Sequence, residues 1–127
     1  MVGMGKILIV DDSPSVLKSA ELVLRMSGFD VLTCSDAWCA GLILGEMPDL
    51  VLMDVRLKGL QGDQAVRAIM ALPEIRQGCR IVLHSNMETE ELSRLCDDTR
   101  AFGYMQKSKD PDEFVKRVKE LLERPLT

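Results

Sequence analysis

No apolar run in this sequence approaches the ~20 residues of a membrane span, and the N-terminal MVGMGK passes into a short apolar stretch without a signal peptide's layout. No cluster of lysine and arginine supplies the basic stripe that direct nucleic-acid binding needs, and the net charge is −4. The four cysteines, Cys34, Cys39, Cys79 and Cys96, never fall at CxxC spacing, which excludes the commonest zinc and redox motifs and leaves reduced core thiols. There is no low-complexity run to indicate disorder. What remains is a balance of 46% hydrophobic and 28% charged residues, that of an ordinary globular protein expected to be cytoplasmic. A chain of 127 residues is one domain in length and buries roughly two thirds of its unfolded surface around a single core. The expectation is therefore one domain over residues 1–127.

The apolar runs alternate with helical patterns. Lys6–Val10 (KILIV) reads as a buried strand that ends at two acids, Asp11 and Asp12. Ser13 and Pro14 follow as N-cap and first helical residue, and Val16, Leu17, Ala20, Val23 and Leu24 recur at helical spacing as far as Gly28. Val31–Cys34 reads as a second strand and Ala37–Glu46 as a second helix carrying Trp38, Leu42 and Ile43. The stretch PDLVLMDVRLKGLQG places the apolar strand Leu50–Met53 directly before Asp54. Gln64–Leu72 makes a third helix, Pro73 and Gly78 break the pattern, and Arg80–His84 is a strand ending at Ser85. Glu88–Asp98 is an acidic helix with only Leu92, Leu95 and Cys96 to anchor it, expected to be mobile. Ala101–Gln106 is a fifth strand ending at Lys107, and Asp110 with Pro111 caps a last helix. Five strands alternating with five helices predict an α/β fold, a parallel sheet with helices on both faces and every strand exit on one edge.

That edge gathers Asp11 and Asp12, Asp54, Ser85 and Lys107. Three carboxylates brought close together repel by about 4 kcal/mol per pair at ~4 Å and an effective dielectric near 20, so the group calls for a cation. Hard oxygen donors without a nearby histidine or cysteine favour Mg²⁺. A carboxylate beside Mg²⁺, faced by an ammonium and a hydroxyl, is equipment for phosphoryl transfer. Attack by Asp54 gives an aspartyl phosphate, with Lys107 and the cation neutralising the phosphoryl oxygens and Ser85 donating a hydrogen bond to one of them.

The paired acids after the first strand, PDLVLMD before a G-x-x-G loop, the serine after the fourth strand, and GYMQK with its lysine together resemble the receiver domains of two-component response regulators. The resemblance covers nearly the whole chain. It implies a doubly wound, flavodoxin-like (βα)5 sandwich with strand order 2-1-3-4-5, and a signalling switch with Asp54 as phosphoacceptor. The metal set implied is Asp11, Asp12, Asp54 and the Arg56 backbone carbonyl, with Asp11 acting largely through water. Ser85 and Tyr104 become a switch pair, the hydroxyl moving toward the phosphoryl group as the ring rotates inward. The implied partners are a sensor histidine kinase or histidine phosphotransfer protein upstream and an output domain or protein downstream. Such a domain is not an enzyme, apart from catalysing its own phosphorylation and dephosphorylation.

Three positions depart from the family's usual pattern. Lys58 and Ser108 stand where proline is common, and Asn86 stands where a small residue usually follows the switch hydroxyl, which predicts partly obstructed access to Asp54. With Ser108 in place of proline the preceding peptide is expected to be trans, since cis costs about 3 kcal/mol. His84, the single histidine, alternates away from Ser85 and reads as a packed side chain rather than a catalytic one. Tyr104 also has a plainer reading as a half-buried strand aromatic. The eight methionines read as core filler and chain start. A turnover phosphatase would need a second acid just after the nucleophile, and Val55 and Arg56 supply none. The remaining alternative is a receiver-like interaction module that works without phosphate. No output domain follows the last helix in this sequence, which reads as a single-domain regulator or an excised receiver.

Overall fold

The computed structural model describes residues 4–36, 39–56 and 63–126. Five strands, β1 (Lys6–Val10), β2 (Asp30–Cys34), β3 (Leu50–Met53), β4 (Arg80–Ser85) and β5 (Gly103–Gln106), form one sheet in the order β2-β1-β3-β4-β5. Every pairing is parallel. The helices between them are α1 (Pro14–Met26), α2 (Ala40–Glu46), α3 (Gln64–Met70), α4 (Pro73–Gly78), α5 (Thr89–Thr99) and α6 (Pro111–Glu123). No helix among the described residues is long and apolar enough to cross a membrane.

Strand alternation divides the core in two. Leu8, Val10, Val51, Met53, Ile81 and Leu83 bury one face of the sheet with residues of α2, α3, α4 and α5. Ile7, Ile9, Leu50, Leu52 and Val82 bury the other against α1 and α6, through Leu24, Phe114, Val118 and Leu121. All of these side chains except Phe114 are essentially inaccessible to water, which is why the strands read as continuous apolar runs rather than alternating ones.

Caps fix where the helices begin and end. The Val16 N–H donates to Ser13 Oγ at 3.4 Å, and Pro14 sits at the first position, where its missing N–H costs nothing. At the other end of α1, Gly28 takes φ +99°. The Gly28 and Phe29 N–H groups donate back to Arg25 and Leu24 carbonyls, a left-handed stop that suits glycine. Asp110 Oδ1 accepts from the Asp112 and Glu113 N–H groups at 3.0 and 3.4 Å and starts α6.

Two boundaries depart from the sequence reading. The expected break between Pro73 and Gly78 is the short helix α4, giving six helices rather than five among the described residues. Leu72 is extended before the proline, Pro73 occupies the first helical position, and Ile75 anchors the turn in the core. The second helix, expected from Ala37, is regular from Ala40 with Cys39 as its N-cap. Ala37 and Trp38 lie outside the described residues, as do Lys58 and the loop glycines Gly59 and Gly62. All four cysteines are free, and Cys39, Cys79 and Cys96 are buried.

Candidate functional site

The exits of β1, β3, β4 and β5 converge on one edge of the sheet, because a parallel sheet points every carboxyl end the same way. β1 ends in the acids. Asp11, buried to 1% exposure, accepts the Ser13 N–H on Oδ1 at 2.9 Å, while Asp12 is exposed. One strand over, the Asp54 N–H continues the ladder by donating to the Val10 carbonyl at 2.9 Å. The Asp54 carboxylate is 5% exposed and accepts the Arg56 N–H on Oδ1 at 3.0 Å.

Lys107 enters from the exit of β5. Its N–H donates to the Ser85 carbonyl at 2.9 Å, which ties the ends of β4 and β5 together. Its ammonium lies 2.7 Å from Asp11 Oδ2 and 3.5 Å from Asp54 Oδ2. The closer contact is a short ion pair with the buried Asp11 carboxylate. Burial works against the Lys107 charge, but the hydrogen-bonding and coulombic pull of Asp11 and Asp54 outweighs it and raises the ammonium above its ordinary pKa. For Asp54 burial wins. It pushes the carboxyl above the usual carboxylate range, ahead of the lowering by the Arg56 N–H and the Lys107 charge.

Asp11, Asp12 and Asp54 each present a carboxylate oxygen, all within 4.8 Å of one another. This donor set is all hard oxygen, three carboxylates facing one another. It fits a divalent cation of the Mg²⁺ type and lacks the nitrogen and sulfur ligands that favour zinc.

Ser85, 3% exposed, accepts the Met87 N–H on Oγ at 3.1 Å. Tyr104 is half-buried, pairs across β4 with Leu83 and packs against the same side of the sheet. His84 points to the opposite face, where its ring stacks on Phe114 with centroids 5.6 Å apart. The packed reading of this histidine holds. Asn86 is exposed and lines a cavity between α1 and α6. No cis peptide occurs among the described residues, so the bond before Ser108 is trans, and Ser108 Oγ accepts the Asp110 N–H at 3.1 Å.

Sequence reasoning missed Gln106. Its Nε2 donates to the Met87 carbonyl at 2.8 Å and fastens the β4–α5 turn to β5. Parallel register puts Gln106 opposite Ser85, and that pairing was the available signal.

A family model described as the response regulator receiver domain matches residues 7–119. The chain is 36% identical to the DNA-binding response regulator MtrA of Mycolicibacterium smegmatis, over 94% of this chain and 51% of MtrA. It is 30% identical to the transcriptional regulatory protein AruR of Pseudomonas aeruginosa, over 98% of this chain and 52% of AruR. The chain thus spans about half the length of the curated relatives it matches. Among solved structures, it superposes on the BeF3-activated N-terminal receiver domain of Klebsiella pneumoniae RstA with a TM-score of 0.79 and 27% identity, over 94% of this chain and 99% of that one. With fold, acidic site and relatives in agreement, the chain belongs to the receiver domains of two-component response regulators.

Proposed function

We propose that residues 1–127 act as one phosphorylation-dependent switch, in which Asp54 takes a phosphoryl group from a sensor histidine kinase or a histidine phosphotransfer protein. One observation carries the reading. The buried Asp54 carboxylate shares a single ammonium, that of Lys107, with the buried Asp11 carboxylate, at 3.5 and 2.7 Å. An arrangement serving stability alone gains little from burying two acids against one base, because the desolvation of each charge offsets the attraction.

The Arg56 N–H holds Asp54 Oδ1 and so fixes the plane of the nucleophile. As a carboxylate oxygen bonds to phosphorus, the donor's P–N bond breaks and its nitrogen leaves with the electron pair. Lys107 lies where it can neutralise the phosphoryl oxygens, as a point charge on a flexible stem. Ser85 already accepts one hydrogen bond, so its own proton is available to a phosphoryl oxygen. Asp12 and Asp54 with the Arg56 carbonyl, and Asp11 through water, would hold Mg²⁺, which would supply charge neutralisation for the transferring group. Tyr104 is the partner of Ser85 in the switch, and the exposed Asn86 narrows access to Asp54. The protein works in the cytoplasm, and the output is a downstream protein or an attached domain.

Asp54→Asn keeps the shape and removes the nucleophile. Intact-mass measurement after incubation with acetyl phosphate and Mg²⁺ should find one added phosphoryl group on the parent protein and none on the variant. An adduct on the variant would place the acceptor elsewhere.

A further inference from the structure

Between α1 and the start of α6, on the face of the sheet away from Ser85, lies a cavity of about 500 Å³. Its walls are Val16, Ala20, Val23 and Phe114, with the hydroxyls of Ser15, Ser19 and Ser108 at intervals. Lys107 and Lys109 also line it, and among the described residues no acidic one does, although the chain as a whole carries a net charge of −4. Lys107 is held by Asp11 and Asp54. Lys109 is exposed and forms no ion pair among the described residues.

His84 is the second observation. It lines the same cavity at 4% exposure, and its Nε2 is buried with no hydrogen-bond partner. Nothing in the phosphoryl chemistry uses this ring, and a buried polar atom left unmatched costs about 1–3 kcal/mol of desolvation. A site that combines apolar walls, a few convergent polar groups and one sign of charge is built for a ligand of the opposite sign.

We propose that this cleft binds a small carboxylic acid with an apolar body. The body rests on Val16, Ala20, Val23 and Phe114 beside the His84 ring, and the carboxylate meets Lys109 and the Ser108 hydroxyl. A volume of 500 Å³ lies within the roughly 300–1,000 Å³ of small-molecule sites and is far more than a single side chain of a partner would fill. Because Asn86 and Lys107 line the cavity as well, an occupant touches residues flanking Ser85 and Asp54. The inference does not rest on phosphoryl transfer, since binding is measured without any phosphodonor.

The test is a two-dimensional NMR titration with phenylacetate, isovalerate and indole-3-acetate, with phenylacetamide and inorganic phosphate as controls. At least one of the acids should give saturable shifts at Val16, Ala20, Phe114 and the His84 ring, with millimolar affinity. Phenylacetamide should bind about fivefold more weakly than phenylacetate, the loss expected from one charge contact. Ser19→Trp, at an exposed position on α1, should fill the mouth and remove the shifts, and Lys109→Gln should weaken binding by a similar factor to the amide. The proposal fails if none of the acids saturates, if acid and amide bind equally, if inorganic phosphate alone reproduces the shifts, or if both variants bind like the parent.

Discussion

His84 shares its face of the sheet with the apolar strand residues Ile7, Ile9, Leu50, Leu52 and Val82, and its ring answers by staying neutral. Burial, reinforced by the Lys107 charge and only partly opposed by Asp11, lowers its pKa from 6.5 to about 4. The unfolded chain therefore takes up a proton below about pH 6.5 that the folded protein refuses until about pH 4, and stability falls as pH falls through that window. Between about pH 7 and pH 5 the loss should be on the order of 2 kcal/mol. Denaturant unfolding at the two pH values measures it, and His84→Leu should flatten the difference. An equally steep decline in the variant would assign the acid sensitivity to other groups. The sequence alone shows which face this histidine takes, through alternation. It does not show that Phe114, thirty residues on, is the ring it meets, because tertiary pairing across a crossover leaves no local pattern. The same holds for Lys107. Its place at the site is legible from the order of strand exits, but its closer approach to Asp11 than to Asp54 is set by packing.

Helices that start with a side-chain cap and proline, α1 and α6, announce themselves in sequence, as do the apolar strands. α4 does not, because proline is a stop signal inside a helix and a start signal at its first position, and only the burial of Ile75 decides between them. α5 ends without a glycine. Arg100 takes the left-handed conformation, φ 62°, to stop it, a geometry that costs a residue with a Cβ roughly 1–2 kcal/mol. Arg100 is exposed, so Arg100→Gly should raise stability by ~0.5–1 kcal/mol, read as a higher denaturant midpoint at unchanged slope. A neutral or lower midpoint would mean that the arginine side chain offsets its strain. The same helix is the expected route of the switch. It carries the thin apolar face of Leu92 and Cys96, and Gln106 fastens the turn leading into it. A beryllofluoride adduct at Asp54 should therefore shift backbone NMR resonances mainly between Ser85 and Lys109. Shifts confined to α2 would contradict this route.

At the scale of the whole molecule, the fold sets a conflict at one edge and leaves a ligand to resolve it. Parallel topology delivers Asp11, Asp12 and Asp54 to one edge, with carboxylate oxygens within 4.8 Å of one another, against the ammonium of Lys107. Burial already raises the Asp54 pKa, so ionising it at neutral pH draws on the stability of the sheet that holds it. A divalent cation that binds this cluster in the folded protein and not in the unfolded chain should stabilise the fold by mass action, about 2.7 kcal/mol at a hundred times its dissociation constant. Thermal unfolding should therefore move upward with added Mg²⁺ and return when the ion is chelated, by ~4 °C for each kcal/mol in a domain of this size. Asp12→Ala is the informative variant, because Asp12 is exposed and its loss leaves the buried Asp11–Lys107–Asp54 contacts standing. It should unfold at or above the parent's temperature without Mg²⁺, having lost one of three crowded charges, and should gain much less when Mg²⁺ is added. If it melted lower and still gained the full Mg²⁺ increment, the cation would be acting elsewhere, and the convergence of the three strand-end acids would have to be explained without a metal.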